Sequence, residues 1–157
     1  MFYSDETNLT NNTTKINTFF SEQLQQDFLT TRYGTLYYGF AIPQQATTAI
    51  IISSGRIESL FKYKELLWEL YQNGYAVFIV DHQGQGRSYR LLKNTHKGYV
   101  NRFSDYADDF AIFNEKVVQT HWQGKQVLLG HSMGCAIAYD FLSRYQHREL
   151  IHEQTNR

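Results

Sequence analysis

Val127-Leu128-Leu129-Gly130-His131-Ser132-Met133-Gly134-Cys135 passes from a short apolar strand, through a serine flanked by glycines, into a helix that opens on small residues. A serine at so sharp a strand-to-helix turn is forced into a strained backbone conformation that exposes its Oγ at the end of the sheet. Strand and helix crowd the turn, so its flanking residues must be small, and Gly130 and Gly134 meet that need. The helix that follows aims its first N–H groups and the positive end of its dipole at the same point. Ser132 is therefore the candidate nucleophile, and Met133 N–H a candidate donor to a developing oxyanion. The competing possibility, a serine that only packs in a turn, loses ground because strand, turn and small-residue helix occur together.

Working outward, Thr47 to Ile52 is a short β-branched run closed by Ser53-Ser54-Gly55, and Tyr75 to Val80 is an unbroken apolar run closed by Asp81-His82-Gln83-Gly84. Continuous rather than alternating runs suit parallel strands covered on both faces. Between them Leu60, Tyr63, Leu67 and Leu70 recur at helical steps, and Asn73-Gly74 supplies a left-handed stop. A further helix is expected from Ser104, whose hydroxyl is placed to cap it, with Tyr106, Phe110, Phe113 and Val117 as the buried stripe. Cys135 to Tyr145 reads as a helix with Ile137, Phe141 and Leu142 on one side, and Phe28 to Ile42 reads as a hairpin around Gly34. Strands alternating with helices give the fold class α/β, a mostly parallel sheet with crossover helices. The second oxyanion donor should come from the loop after an earlier strand, which makes Arg56 N–H in Ser53-Ser54-Gly55-Arg56 the candidate.

The 157 residues match one domain, and 42% hydrophobic composition places the chain among globular proteins. Lys plus Arg equals Asp plus Glu at 15 each, so no global field favours nucleic acid, and none is expected as a partner. The single cysteine, Cys135, excludes an intrachain disulfide and a cysteine-rich metal cage, fits a reducing compartment, and is expected in the core. The N-terminus lacks a secretory signal and no run approaches a membrane span, so a cytoplasmic location is expected, and the two Asn-x-Thr matches at Asn8 and Asn12 are read as chance. Residues 1–20, rich in Asn and Thr, are expected to form a flexible polar leader, residues 21–146 the folded part and residues 147–157 a divergent polar tail. Between Arg87 and Arg102 lie five basic residues and no acidic one, a loop that fits either a phosphate head group, an anionic membrane surface or plain solvation.

Gly55-Arg56-Ile57-Glu58-Ser59, Lys62-Tyr63, Asp81-His82-Gln83-Gly84-Gln85-Gly86-Arg87-Ser88, Arg90-Leu91-Leu92, Gly98-Tyr99-Val100-Asn101-Arg102-Phe103, Asp105-Tyr106, Asp108-Asp109 and the Ser132 turn together resemble the bacterial lysophospholipase branch of the α/β-hydrolases. That branch is also similar to monoacylglycerol lipases. The likeness covers about residues 35 to 145. It implies an α/β-hydrolase fold and cleavage of the acyl ester of a lysophospholipid through an acyl-enzyme, without cofactor or metal. It also implies peripheral contact with the cytoplasmic face of the inner membrane and a structural role for His82. Where the family usually carries a histidine, the chain has Ser54, which leaves the backbone donor intact.

A serine nucleophile needs a histidine base and a carboxylate to orient it, and in this fold they follow the serine. Only 25 residues follow Ser132, whereas about a hundred would be needed at ~30 residues per strand-helix-strand unit. The triad acid and histidine are thus expected to be absent, and the chain to be an N-terminal portion ending after the Ser132 helix. His147 and His152 follow that helix too closely to return to its start, and with Glu149 they miss zinc-site spacing. Three functions stay open: lysophospholipase, monoacylglycerol lipase or general carboxylesterase, and an inactive remnant or noncatalytic module. A dinucleotide-binding reading of Gly84-Gln85-Gly86 lacks its third glycine and meets Tyr89 where a phosphate would sit.

Overall fold

The computed structural model describes residues 6–146. Among them, five strands form one sheet in the order β1-β2-β4-β3-β5. The strands are β1 Gln25–Thr30, β2 Thr35–Ala41, β3 Thr48–Ser53, β4 Ala76–Val80 and β5 Lys125–Gly130. The sheet is mixed: the N-terminal hairpin β1-β2 and the β2-β4 pair are antiparallel, whereas β3 runs parallel to both β4 and β5. The parallel half is the part carried by the apolar runs, and the expected hairpin around Gly34 adds the antiparallel half.

Five α-helices, α1 Glu6–Thr18, α2 Lys64–Gln72, α3 Ser104–Phe113, α4 Gln119–His121 and α5 Met133–Phe141, complete the described fold. β4 shows why it is central: all five of its residues are buried. Its side chains alternate between faces. Phe78 and Val80 join Phe40, Phe110, Phe113, Ile137 and Phe141 under α3 and α5. Val77 and Ile79 join Tyr37, Leu67 and Trp68 under α1 and α2. Each such large side chain taken fully out of water contributes ~1.5–3 kcal/mol, so the two-sided strand anchors both layers.

Expectations fail at three places, and the edge strand β5 adds a feature of its own. Residues 6–18 of the expected leader are helical, because Ile16 and the π-helical turn that follows, with Phe19 and Phe20, supply a buried stripe. Phe19 meets Tyr71 with ring centroids 5.1 Å apart, which fastens this segment to α2. Ser104 does not cap α3: it is itself helical, and the Arg102 N–H is instead accepted by Asp105 Oδ2 at 3.2 Å. Cys135 is exposed rather than in the core, because α5 turns its Ile137 and Phe141 side inward. β5 is apolar yet open: Val127 and Leu129, paired opposite Ile50 and Ile52, are 41% and 40% exposed. Among the described residues β5 pairs only with β3, so its outer edge has no neighbour.

The end of α5 continues into a π-helical turn, Leu142–Gln146, that is tied back to α3. Arg144 bonds Asp108 at 2.8 Å, Asp140 at 3.0 Å and the Ser104 carbonyl at 2.8 Å. Tyr33 and Tyr145 also donate to the Asp108 carboxylate. His147 and His152 lie outside the described residues, as does the expected tail. No helix among the described residues is long and apolar enough to cross a membrane.

Candidate active site

At the end of β5 the chain reverses into α5 through Ser132, whose φ of 52° and ψ of −120° lie in a region a side chain seldom occupies. Such strain persists only where the surroundings impose it. Here the His131 N–H donates to the Ser53 carbonyl at 3.1 Å, and the Gly134 N–H donates to the His131 carbonyl at 2.8 Å. Gly134 lies so close to β3 that a Cβ would fall 2.0 Å from the Ser53 carbonyl oxygen. Only glycine permits α5 to press against the strand, and that pressure holds the turn closed. Ser132 itself is exposed, as the sequence pattern requires.

The loop after β3 is the other wall. Arg56 and Met133 line one cleft of about 640 Å³, together with Tyr99, Phe103 and Tyr106. Ile57 has a φ of 62°, exceptional for a β-branched residue, and is 86% exposed. Its strained backbone is held from below: the Ile57 N–H donates to Gln85 Oε1 at 2.9 Å, and Gln85 Nε2 donates to the Gly55 carbonyl at 2.9 Å. Gln85 belongs to the turn Asp81-His82-Gln83-Gly84-Gln85-Gly86, so that turn supports the loop and lines the same cleft.

The same turn is organised by Asp81, which is buried and accepts the Leu60 N–H at 2.6 Å and the Arg87 N–H at 2.9 Å. Burial raises its pKa, against the lowering effect of those two amides. At Gly86, φ 54°, a Cβ would lie 1.9 Å from Asp81 Oδ2, so both the dihedral and the space demand glycine. Tyr89 donates toward Asp109 Oδ2 at 2.8 Å and packs its ring where a Gly34 side chain would stand. His82 is fully enclosed, with Nε2 3.0 Å from Ser53 Oγ, and burial holds its pKa down to about 4. That environment agrees with a structural histidine.

Glu58 enters the sequence reading only as part of the family pattern, yet in the structure it joins the two walls. Its Oε2 accepts the Gly55 N–H at 2.7 Å and the Tyr63 hydroxyl at 2.6 Å, and lies 3.1 Å from His131 Nδ1; its Oε1 pairs with Lys62. Burial pushes its carboxyl up, but the bonds from Lys62, Tyr63, Gly55 and His131 prevail and hold it at about 2. The available signal is an acid three residues after Gly55, spaced to reach back to that amide as in a capping box.

Of the expected basic loop, Arg90 is engaged internally: its guanidinium donates to the carbonyls of Gly86, Ser88 and Thr95. Lys93 and Lys97 are exposed, as are Leu91, Leu92, Tyr99 and Phe103 of the same loop. Among the described residues no group of three or more His, Cys, Asp or Glu is arranged to hold a metal.

Comparison with known proteins places these features in a family. The profile described as serine aminopeptidase, S33, matches residues 44–152. Lysophospholipase L2 of Escherichia coli K12 is 49% identical over 102 residues, which is 65% of this chain and 30% of that protein. A probable lysophospholipase L2 of Haemophilus influenzae is 40% identical over 67% of this chain and 33% of its own length. A monoacylglycerol lipase of Mycolicibacterium smegmatis is 25% identical over 61% of the chain. The chain thus spans about a third of the length of these relatives. Among solved structures, a putative lipase of Acinetobacter baumannii superposes with a TM-score of 0.62 at 20% identity, over 93% of this chain and 44% of that one. The thioesterase domain of the curacin pathway does so with 0.59 at 22% identity, over 78% and 42%. With the strand order, the Ser132 turn and the family match over residues 44–152 all in agreement, the chain belongs to the serine aminopeptidase S33 family of α/β-hydrolases and represents an N-terminal portion of that fold.

Proposed function

We infer that the protein carrying this chain is a serine ester hydrolase of the lysophospholipase type, with Ser132 as nucleophile. The observation that supports this most directly is the positive φ of Ser132 at a turn held against β3 by Gly134. On this reading Ser132 Oγ attacks the acyl carbonyl carbon while a histidine base takes its proton. The carbonyl oxygen becomes an oxyanion that accepts the Met133 and Arg56 N–H groups. Collapse expels the glycerophospho-alcohol with that proton and leaves the acyl chain on Ser132. Water then attacks the acyl-enzyme by the same route, releasing the fatty acid and restoring the serine. Base and acid are supplied on this reading by polypeptide outside the 157 residues.

Identity of 49% to lysophospholipase L2, against 25% to the monoacylglycerol lipase, favours a lysophospholipid over a monoacylglycerol as substrate. The cleft beside Arg56 and Met133, with aromatic walls from Tyr99, Phe103 and Tyr106, suits an acyl chain brought up to the nucleophile. Contact with an anionic membrane surface from the cytoplasmic side is part of the proposal. Its support is the exposure of Lys93 and Lys97, and of Leu91 and Leu92, in one loop.

The test is fatty-acid release from a lysophosphatidylethanolamine and from a monoacylglycerol by the full-length protein, beside labelling with a fluorophosphonate. Labelling and release that both vanish in Ser132→Ala support the assignment. Release that persists in that variant overturns it, and faster turnover of the monoacylglycerol overturns the choice of substrate.

A further inference from the structure

Two separate segments must meet for the proposed oxyanion site to form: the loop that carries Arg56, after β3, and the turn that carries Met133, after β5. No strand pairing sets the loop beyond Ser53, since the register of β3 with β5 ends at Ser53 and Gly130. The next residues on the two sides are tied instead through one side chain. Glu58, 7% exposed, reaches back to the amide of Gly55, the residue before Arg56, and across to the imidazole of His131, the residue before Ser132. The carboxylate is acceptor-only, so His131 presents Nδ1–H to it. Gly55 makes this approach possible: a Cβ there would lie 2.8 Å from Glu58 Oε2 and 2.9 Å from His131 Nδ1. Tyr63 and Lys62, on the turn that leads into α2, hold the same carboxylate from behind.

We propose that Glu58 is a positioning residue that fixes the Arg56 amide relative to the Ser132 turn, by binding the Gly55 N–H and the His131 imidazole through one carboxylate oxygen. The two segments are 73 residues apart at their point of contact, and Glu58 locks them in one register. It touches no reacting atom. Its effect is confined to the alignment of the donors, which act most strongly when charge develops on the carbonyl oxygen.

The proposal rests on Ser132 being the nucleophile, and the experiment separates the two. The full-length protein, its Glu58→Gln variant and its Ser132→Ala variant are compared on a short-chain p-nitrophenyl ester, with amide hydrogen exchange measured in parallel. The side-chain amide of Glu58→Gln keeps a single oxygen, which cannot accept from Gly55, Tyr63 and His131 together without turning its NH₂ toward another donor. The expected result is a fall in kcat of about tenfold or more with KM within about twofold, since loss of a whole oxyanion donor costs ~10²–10³. The Gly55, Arg56 and Ile57 amides should exchange faster while β3 and β4 keep their protection. Wild-type kcat in Glu58→Gln, with Ser132→Ala inactive, overturns the positioning role and leaves the nucleophile standing. Full turnover by Ser132→Ala overturns both. If Glu58→Gln also loses protection in β3 and β4, His131→Ala takes its place, because His131 is exposed and its loss leaves the Gly55 and Tyr63 bonds intact. A fall in kcat in that variant, KM unchanged, supports the tie, and wild-type kcat overturns it.

Discussion

Ser53 Oγ and His82 Nε2 lie 3.0 Å apart at the carboxyl ends of β3 and β4, both sealed from solvent, with Tyr106 and Phe110 against the imidazole. Burial disfavours the imidazolium, so the folded pKa of about 4 lies below the ordinary 6.5. The unfolded chain therefore takes up a proton at His82 that the folded chain refuses. The associated stability is fully present above pH 6.5 and is lost as pH falls toward 4, by on the order of 3 kcal/mol. His82→Gln should flatten the dependence of the urea midpoint on pH across that window; a curve as steep as wild type would refute the assignment.

Gly134 should tolerate no side chain. In Gly134→Ala the new methyl meets the Ser53 carbonyl oxygen at 2.0 Å and the Ser54 oxygen at 2.7 Å, and these are backbone atoms that cannot swing aside. The expected cost is about 3 kcal/mol, a large fraction of a typical domain's stability. Circular dichroism melting of the variant beside wild type checks it, and an unchanged midpoint contradicts the close seating of α5.

Charge reversal at Lys93 and Lys97 should weaken sedimentation with anionic liposomes, with the loss growing smaller as salt rises. Arg90 is the wrong target for this experiment, because its guanidinium holds the loop's own carbonyls. Equal binding by Lys93→Glu/Lys97→Glu and wild type removes the membrane proposal.

Val127 and Leu129 share one face of β5 and stand open to solvent beside an edge that has no partner among the described residues. Such an apolar edge invites association. The 157-residue chain should show concentration-dependent oligomers in sedimentation velocity, and Val127→Lys/Leu129→Lys should shift the distribution toward monomer. A wild-type chain that stays monomeric at high concentration would contradict this expectation.

Local features of the sequence are the legible ones. Apolar runs of about five or six residues place β3 and β4, and the glycines around Ser132 announce a turn too tight for larger neighbours. The family pattern adds the Asp81 turn, whose glycines at φ 80° and 54° a single sequence only suggests. Burial is less legible, because it depends on what lies alongside: Cys135 and Val127 are as apolar as their buried counterparts but have no covering element among the described residues. The helix over residues 6–18 is masked by composition, since its anchors, Ile16, Phe19 and Phe20, sit at or just beyond its end, behind a polar run. Glu58 is hidden for a different reason. Its partners come from Gly55, Lys62, Tyr63 and His131, and no linear spacing announces the last of these.

The seating of Ser132 depends on Ser53, Glu58 and the start of α5, all of which precede or immediately adjoin it in the chain. Synthesis runs in that direction. A ribosome that has released α5 has therefore already delivered every contact described for the serine turn, and Ser132 can be set in its strained geometry at that point. The serine turn is thus a local product of the segments that come before it and of the helix that it opens, and its shape asks for no contact from further along the chain than α5.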